Sequence, residues 1–155
     1  MLPEGAKIRD YNPETDLNYV TDSWRRSYEH SPWSGTMPTR TYIEAYNSTL
    51  RHLLAVPTTL ISIVCTETAE ELDENFIIGY IVYDLDGYKQ PVVHYMYVKE
   101  PFRKKGIGKE LLTVVLGDAS SFKYTFRTRS CDLLRGRFLG QFSPRLINEK
   151  QRKKA

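Results

Sequence analysis

Apolar residues recur three and four apart at Leu17, Val20, Trp24 and Tyr28, a spacing that gathers them on one helical face and turns Asp16, Asp22, Arg25 and Arg26 elsewhere. Asn12-Pro13-Glu14 supplies the start: an N-cap side chain, a proline at the first helical position and an acid in the first turn. The run Ser31-Pro32-Trp33-Ser34-Gly35-Thr36-Met37-Pro38 breaks this helix. A second follows, with Ile43, Tyr46, Leu50 and Leu53 or Leu54 as its stripe, the capping-box pattern Thr41-x-x-Glu44 at its start and Pro57 beyond its end. Elsewhere the pattern is that of strands. Lys7 to Tyr11 is short, Thr58 to Thr66 and Phe76 to Tyr83 are β-branched and aromatic runs separated by the polar loop Glu67 to Asn75, and Asp86-Gly87 signals a turn. Val92 to Val98 forms the next strand, Ile107, Leu111, Val114 and Val115 mark a third helix, and Tyr124 to Arg129 alternates as a last strand. The predicted order is β-α-α-β-β-β-α-β, with no internal repeat or low-complexity segment.

A chain of 155 residues, 41% hydrophobic, fits one domain around one core. Net charge is only +3, yet the charge is uneven: from residue 123 onward the acids are Asp132 and Glu149 alone, and the sequence ends in Gln151-Arg152-Lys153-Lys154-Ala155. Residues 1–147 are therefore expected to fold and 148–155 to form a basic, solvated tail. Nucleic-acid binding through this basic region is a weaker expectation than a frayed terminus, because the overall charge is modest. Cys65 and Cys131 have no partner motif for metal or redox chemistry, so no metal site is expected and a reducing, cytoplasmic setting fits. The N-terminus lacks a basic region followed by an apolar run, and no window approaches the roughly 18 apolar residues of a membrane span.

Chemistry concentrates at Arg103-Lys104-Lys105-Gly106-Ile107-Gly108-Lys109, which joins a strand to a helix. Two glycines let backbone approach an anion, a helix start points N–H groups outward, and four cations among seven residues add charge. A pyrophosphate ligand is implied. A Rossmann fingerprint needs glycine where Leu111 stands, and a Walker loop needs glycine five before Gly108 and Ser or Thr where Glu110 follows Lys109. What remains is Arg/Gln-x-x-Gly-x-Gly/Ala. At Arg103, Gly106 and Gly108, after a strand and opening a helix, this resembles the acyl-coenzyme A loop of the GCN5-related N-acetyltransferase (GNAT) family.

The resemblance implies a single-domain α+β fold with a mixed, mostly antiparallel sheet flanked by helices and a shortened C-terminal part. It implies that the strand before the loop and the strand after the third helix run parallel and splay apart, with acetyl-coenzyme A (acetyl-CoA) as cosubstrate in the gap. Backbone groups at Met96 and Val98 would meet its arm, and Arg103, Lys104, Lys105, Gly106, Ile107, Gly108 and Lys109 would hold its pyrophosphate. The implied reaction moves the acetyl group to an amine acceptor, small molecule or protein, by direct attack in a ternary complex. Strand alternation puts Val92, His94, Met96 and Val98 on one face and Val93, Tyr95 and Tyr97 on the other. His94 lies on the strand where family members place a base, and an imidazole with an unperturbed pKa near about 6.5 can relay a proton, whereas the plainer role is a half-buried, satisfied histidine.

Three departures from the family pattern matter. Proline stands one place late, in Val98-Lys99-Glu100-Pro101. No tyrosine lies between Ser130 and Gly140 to protonate the leaving thiolate, which leaves Tyr124, Tyr95 or Tyr97 as substitutes. The C-terminal part, with Pro144 inside Phe138 to Ile147, supports at most one irregular strand, so the sheet edge is expected to be open, shortened or completed by a second copy in a homodimer. A catalytically degenerate member that binds coenzyme A, protein or nucleic acid is the competing expectation. For the acceptor, Trp33, Tyr28, His30, Tyr42 and Tyr46 are candidate wall residues able to hold an amine by cation–π contact, and Glu29, Glu44 and Asp84 are acids able to attract it.

Overall fold

A computed structural model describes residues 2–31, 39–66, 77–85, 90–126, 128, 131, 134–136 and 138–144, with backbone alone at 39–40. Trp33, the loop at 67–75, the turn at 86–87, the expected strand end at Arg129 and the basic tail at 148–155 lie outside the described residues. The elements are β1 (Ala6–Asp10), α1 (Pro13–Glu29), α2 (Thr39–Leu54), β2 (Leu60–Thr66), β3 (Ile77–Leu85), β4 (Pro91–Val98), a single 3-10 turn (Glu100–Phe102), α3 (Ile107–Leu116), β5 (Phe122–Tyr124) and β6 (Gly140–Phe142).

Local chemistry explains the helix starts. Asn12 caps α1, its side-chain oxygen accepting from Glu14 N at 3.0 Å, with Pro13 at the first position. α2 already begins at Thr39, so Thr41 sits inside the first turn and is not its cap. The α1 face runs as expected through Val20 and Trp24, which are fully buried. Asp16 departs from expectation: it is buried and not turned to solvent. Arg9 on β1 explains this, donating from Nη1 to Oδ2 at 2.7 Å and from Nη2 to Oδ1 at 2.9 Å, while Asn12 N adds a bond at 2.9 Å. A buried charge survives because a bidentate partner and a backbone donor replace its water.

The six strands lie in the order β1-β2-β3-β4-β5-β6. The first three pairings are antiparallel, and β4–β5 and β5–β6 are parallel. One face packs against α1 and α2 through Val20, Trp24, Leu50 and Leu53 over Ile63, Tyr80, Val82 and Tyr95. The other packs against α3 through Ile107, Leu111, Leu112 and Val115 over Val64, Ile81, Val93, Met96 and Phe122. Val114, expected on the inner stripe, is exposed, and Leu112 and Leu116 take that role.

At the C-terminal side, β5 begins earlier than expected and stops at Tyr124, and Thr125 N–H to Val93 O at 3.0 Å completes its pairing with β4. β6 is the one irregular strand that the composition near Pro144 allowed, and it covers β5 as a three-residue edge.

Candidate active site

The expected parallel pairing of β4 with β5 is present and short. β4 pairs with β5 only at Val92↔Lys123 and Val93↔Tyr124, after which β4 runs on to Val98 while β5 has ended. A β-bulge sits at the point of divergence. Tyr83 pairs with Val93 and Val82 with Tyr95, which leaves His94 as the extra residue on β4. The bulge overturns the alternation predicted from sequence: Val93 joins Met96 and Val98 in the α3-side core, and Tyr95 joins the α1 and α2 side. It also resets which backbone groups face the gap. Lys99 N donates to Ile78 O on β3 at 2.8 Å, so by alternation the backbone groups of Val98 and Met96 point the other way, toward the side that β5 vacates. Val98 O faces that side, where Arg103 Nε donates to it at 2.7 Å.

His94 is 1% exposed, and its Nδ1 lies 2.9 Å from Thr125 Oγ1, so the hydroxyl just beyond β5 holds the imidazole across the start of the gap. The donor and acceptor roles in this contact follow the histidine tautomer. Sequence singled out the histidine but not Thr125, whose role depends on a strand 31 residues away.

The late proline has a clear place. Pro101 occupies the second position of the 3-10 turn, which is closed by Phe102 N to Lys99 O at 2.9 Å and Arg103 N to Glu100 O at 3.1 Å. The chain then passes through two left-handed residues, Lys104 at φ 64° and Gly106 at φ 82°. Gly106 is the N-cap of α3 and offers no side-chain cap, and the helix's first internal bond is Glu110 N to Gly106 O at 3.0 Å. The N–H groups of Ile107, Gly108 and Lys109 thus precede the helical ladder at the positive end of its dipole. Ile107 buries its side chain in the core, which fixes this turn, while Lys104, Lys105 and Lys109 are exposed. The Arg103 guanidinium lies over the Tyr97 ring at 5.8 Å, and Lys105 Nζ over Phe102 at 5.8 Å. Gly108 faces Met96 from β4, where an added Cβ would stand 3.6 Å from Sδ and Cε.

The other predicted residues separate. Tyr28, Tyr42 and Tyr46 come together, but Tyr42 is buried with its hydroxyl donating to Arg25 O at 2.9 Å, and His30 is exposed. Of the substitute phenols, Tyr95 shares a 2.6 Å hydrogen bond with Ser27, and burial pushes its pKa up. Tyr124 packs between Phe122 and Phe142, away from Tyr95 on the opposite face. Tyr97 is half-buried beneath Arg103. Cys131 is buried in the α3-side core, its N–H donating to Thr128 Oγ1 at 3.0 Å. Among the described residues no cluster of His, Cys, Asp or Glu could hold a metal, and no helix is long and apolar enough to cross a membrane.

Known proteins share this fold. The fold resembles a Pyrococcus furiosus protein assigned as an acetyl transferase, with a TM-score of 0.64 and 17% identity, over 85% of this chain and 91% of that one. It also resembles a Clostridium difficile 630 protein described as a possible acetyltransferase, with a TM-score of 0.56 and 11% identity over 86% and 88% of the two chains. The ribosomal-protein-alanine N-acetyltransferase of Brucella melitensis biovar Abortus 2308 aligns over 93% of this chain and 86% of its own, with a TM-score of 0.50 and 13% identity. No curated protein sequence matches the chain. The sequence model of the acetyltransferase (GNAT) family matches residues 18–133, more than half of the chain, from within α1 to beyond β5, and the chain therefore belongs to that family.

Proposed function

We propose that residues 1–147 form an acyl-CoA-binding domain that acetylates an amine acceptor, drawing on acetyl-CoA as cosubstrate by direct attack in a ternary complex. The observation that carries this reading is the opening between β4 and β5 beyond Val93, set beside the uncapped α3 start with its left-handed Gly106. These residues fit the cosubstrate: the β4 edge beyond its pairing with β5 suits an amide-bearing arm, which would share Val98 O with Arg103 Nε, and helix N–H groups with no side-chain cap suit a pyrophosphate. The backbones of Met96 and Val98 would hold the arm. Arg103, Lys104, Lys105 and Lys109, with the N–H groups of Gly106, Ile107 and Gly108, would hold the phosphates. When bound, acetyl-CoA would supply an acetyl thioester, whose C–S bond breaks as the amine's C–N bond forms and whose thiolate departs with one proton.

His94, held by Thr125 at the divergence, is the group we assign to accept or relay the ammonium proton. A backbone N–H of β4 would polarise the carbonyl, a role that needs donors already fixed in place, as a strand edge supplies.

Calorimetric titration with acetyl-CoA, combined with thiol release in the presence and absence of amines, tests the reading. Gly106→Asp should abolish binding, because it places a side chain at φ 82° and a negative charge in the cradle. His94→Ala should retain binding and reduce turnover by at least about a hundredfold, the usual reach of a positioned base. Tight acetyl-CoA binding by Gly106→Asp would overturn the loop assignment, and binding without amine-dependent thiol release would leave a domain that binds and does not catalyse.

A further inference from the structure

Thr125 meets two consecutive residues of β4. Its N–H donates to Val93 O at 3.0 Å, and its Oγ1 lies 2.9 Å from Nδ1 of His94. The backbone bond fixes the place from which the hydroxyl acts. Both side chains are buried, His94 at 1% and Thr125 at 4% exposure, so the contact forms away from bulk water, where a hydrogen bond is electrostatically stronger.

The bulge gives this contact its weight. An ordinary strand residue is aimed by the pleat and by the residue opposite it on the neighbouring strand. His94 is the extra residue of the bulge, since Tyr83 pairs with Val93 and Val82 with Tyr95, and the ladder to β3 does not aim its side chain. The aim of the imidazole is left to side-chain contacts, and the one at Nδ1 comes from Thr125. A contact at one ring nitrogen also decides the chemistry of the other. When Thr125 Oγ1 accepts from Nδ1–H, the neutral ring keeps a lone pair at Nε2 and can take a proton there. With the hydroxyl donating, Nε2 carries the proton instead. The role assigned to His94 above requires the first arrangement.

We infer that Thr125 is a positioning residue for proton transfer by His94: its hydroxyl, placed by the backbone bond to Val93, orients the imidazole and holds it as the Nδ1–H tautomer. The inference rests on the acetyltransferase reading above. Two buried polar groups that only satisfied each other would need no particular tautomer and would leave turnover unaffected.

Thr125→Val keeps the β-branched shape and the backbone bond to Val93 while removing the hydroxyl. Thiol release is measured with whichever of spermidine, tyramine and a short peptide bearing a free N-terminus the unaltered protein acetylates fastest. In Thr125→Val, kcat should fall about ten- to a hundredfold, as when a histidine loses the hydrogen bond that orients it, while the KM for the amine and the calorimetric affinity for acetyl-CoA hold. Thr125→Ser returns the hydroxyl and should recover most of the loss. Nitrogen-15 shifts of labelled imidazoles give a readout apart from activity. The chain has three histidines, and His30 and His52 are exposed, so comparison with His94→Ala identifies the buried ring. The unaltered protein should show a protonated Nδ1 beside an unprotonated Nε2, and Thr125→Val should show values averaged between the two tautomers. Unchanged kcat in Thr125→Val, or an unprotonated Nδ1 in the unaltered protein, overturns the inference and leaves the acetyltransferase reading standing. No amine-dependent thiol release from the unaltered protein overturns both.

Discussion

Single residues in this chain act through partners distant in sequence, and Asp16 is the clearest case. Burial alone would raise its pKa, but hydrogen bonds from Arg9, the Asn12 backbone and Thr15 outweigh that and hold the carboxyl below the usual range. An unfolded aspartate titrates near about 3.9, so the stabilisation from this pair is complete above that pH and is lost as pH falls through the lower folded value. Asp16→Asn should cost about 3 kcal/mol near neutral pH, because it strands the Arg9 guanidinium at 14% side-chain exposure. Urea denaturation of both proteins should show the gap narrowing once the pH drops below about 4. A gap that stayed constant down to strong acid would mean the pair contributes no pH-dependent stability. Helical spacing assigned Asp16 to the outer face, since spacing reports position around a helix and carries nothing about an arginine on a neighbouring strand. His94, by contrast, was legible as an oddity in an apolar row, but its contact with Thr125 was not.

At the scale of elements, the pairing of β3 with β4 sets the site. Gly79 lies opposite Val98, and a Cβ there would stand 2.6 Å from Tyr97 O, closer than such atoms approach, so the two strands meet at this distance only because the residue is glycine. Gly79→Ala should force the strands apart, cost about 2 kcal/mol and weaken acetyl-CoA binding by displacing Tyr97 and Val98. Gly108→Ala is the control, since its Cβ would meet Met96 at an ordinary 3.6 Å and leave stability nearly unchanged. Comparing the unfolding midpoints of the two variants, and the acetyl-CoA affinity of Gly79→Ala with that of the unaltered protein, checks both statements. α1 is anchored in a complementary way. Ser23 Oγ and Ser27 Oγ, one turn apart, lie 2.8 and 2.6 Å from the hydroxyls of Tyr80 on β3 and Tyr95 on β4, which explains how a helix can bury polar side chains without leaving their atoms unsatisfied.

For the whole molecule, the many tyrosines tie stability to alkaline pH. Burial, with the Asp16 charge adding to it and Arg51 opposing it, pushes Tyr11 up to about 12, and burial also raises Tyr42, Tyr80 and Tyr95. Unfolded tyrosines ionise near about 10, so stability is complete below that pH and declines as pH rises from there toward the folded values. Tyrosinate absorbance should accordingly appear together with unfolding, and ionisation of these phenols in a protein still folded would refute the coupling. The order of strands and helices, the break between the first two helices and the glycine loop were determined by the sequence alone, because periodicity, caps and turn residues act within a few positions. The bulge at His94, the reversal of faces along β4 and the early end of β5 were decided by the tertiary structure, because each depends on which strand lies alongside. The same holds for the aromatic cluster: Tyr28 and Tyr46 were recognisable as wall candidates, but that their rings pack on Phe126 follows only from the turn that brings Phe126 to the α1 and α2 face.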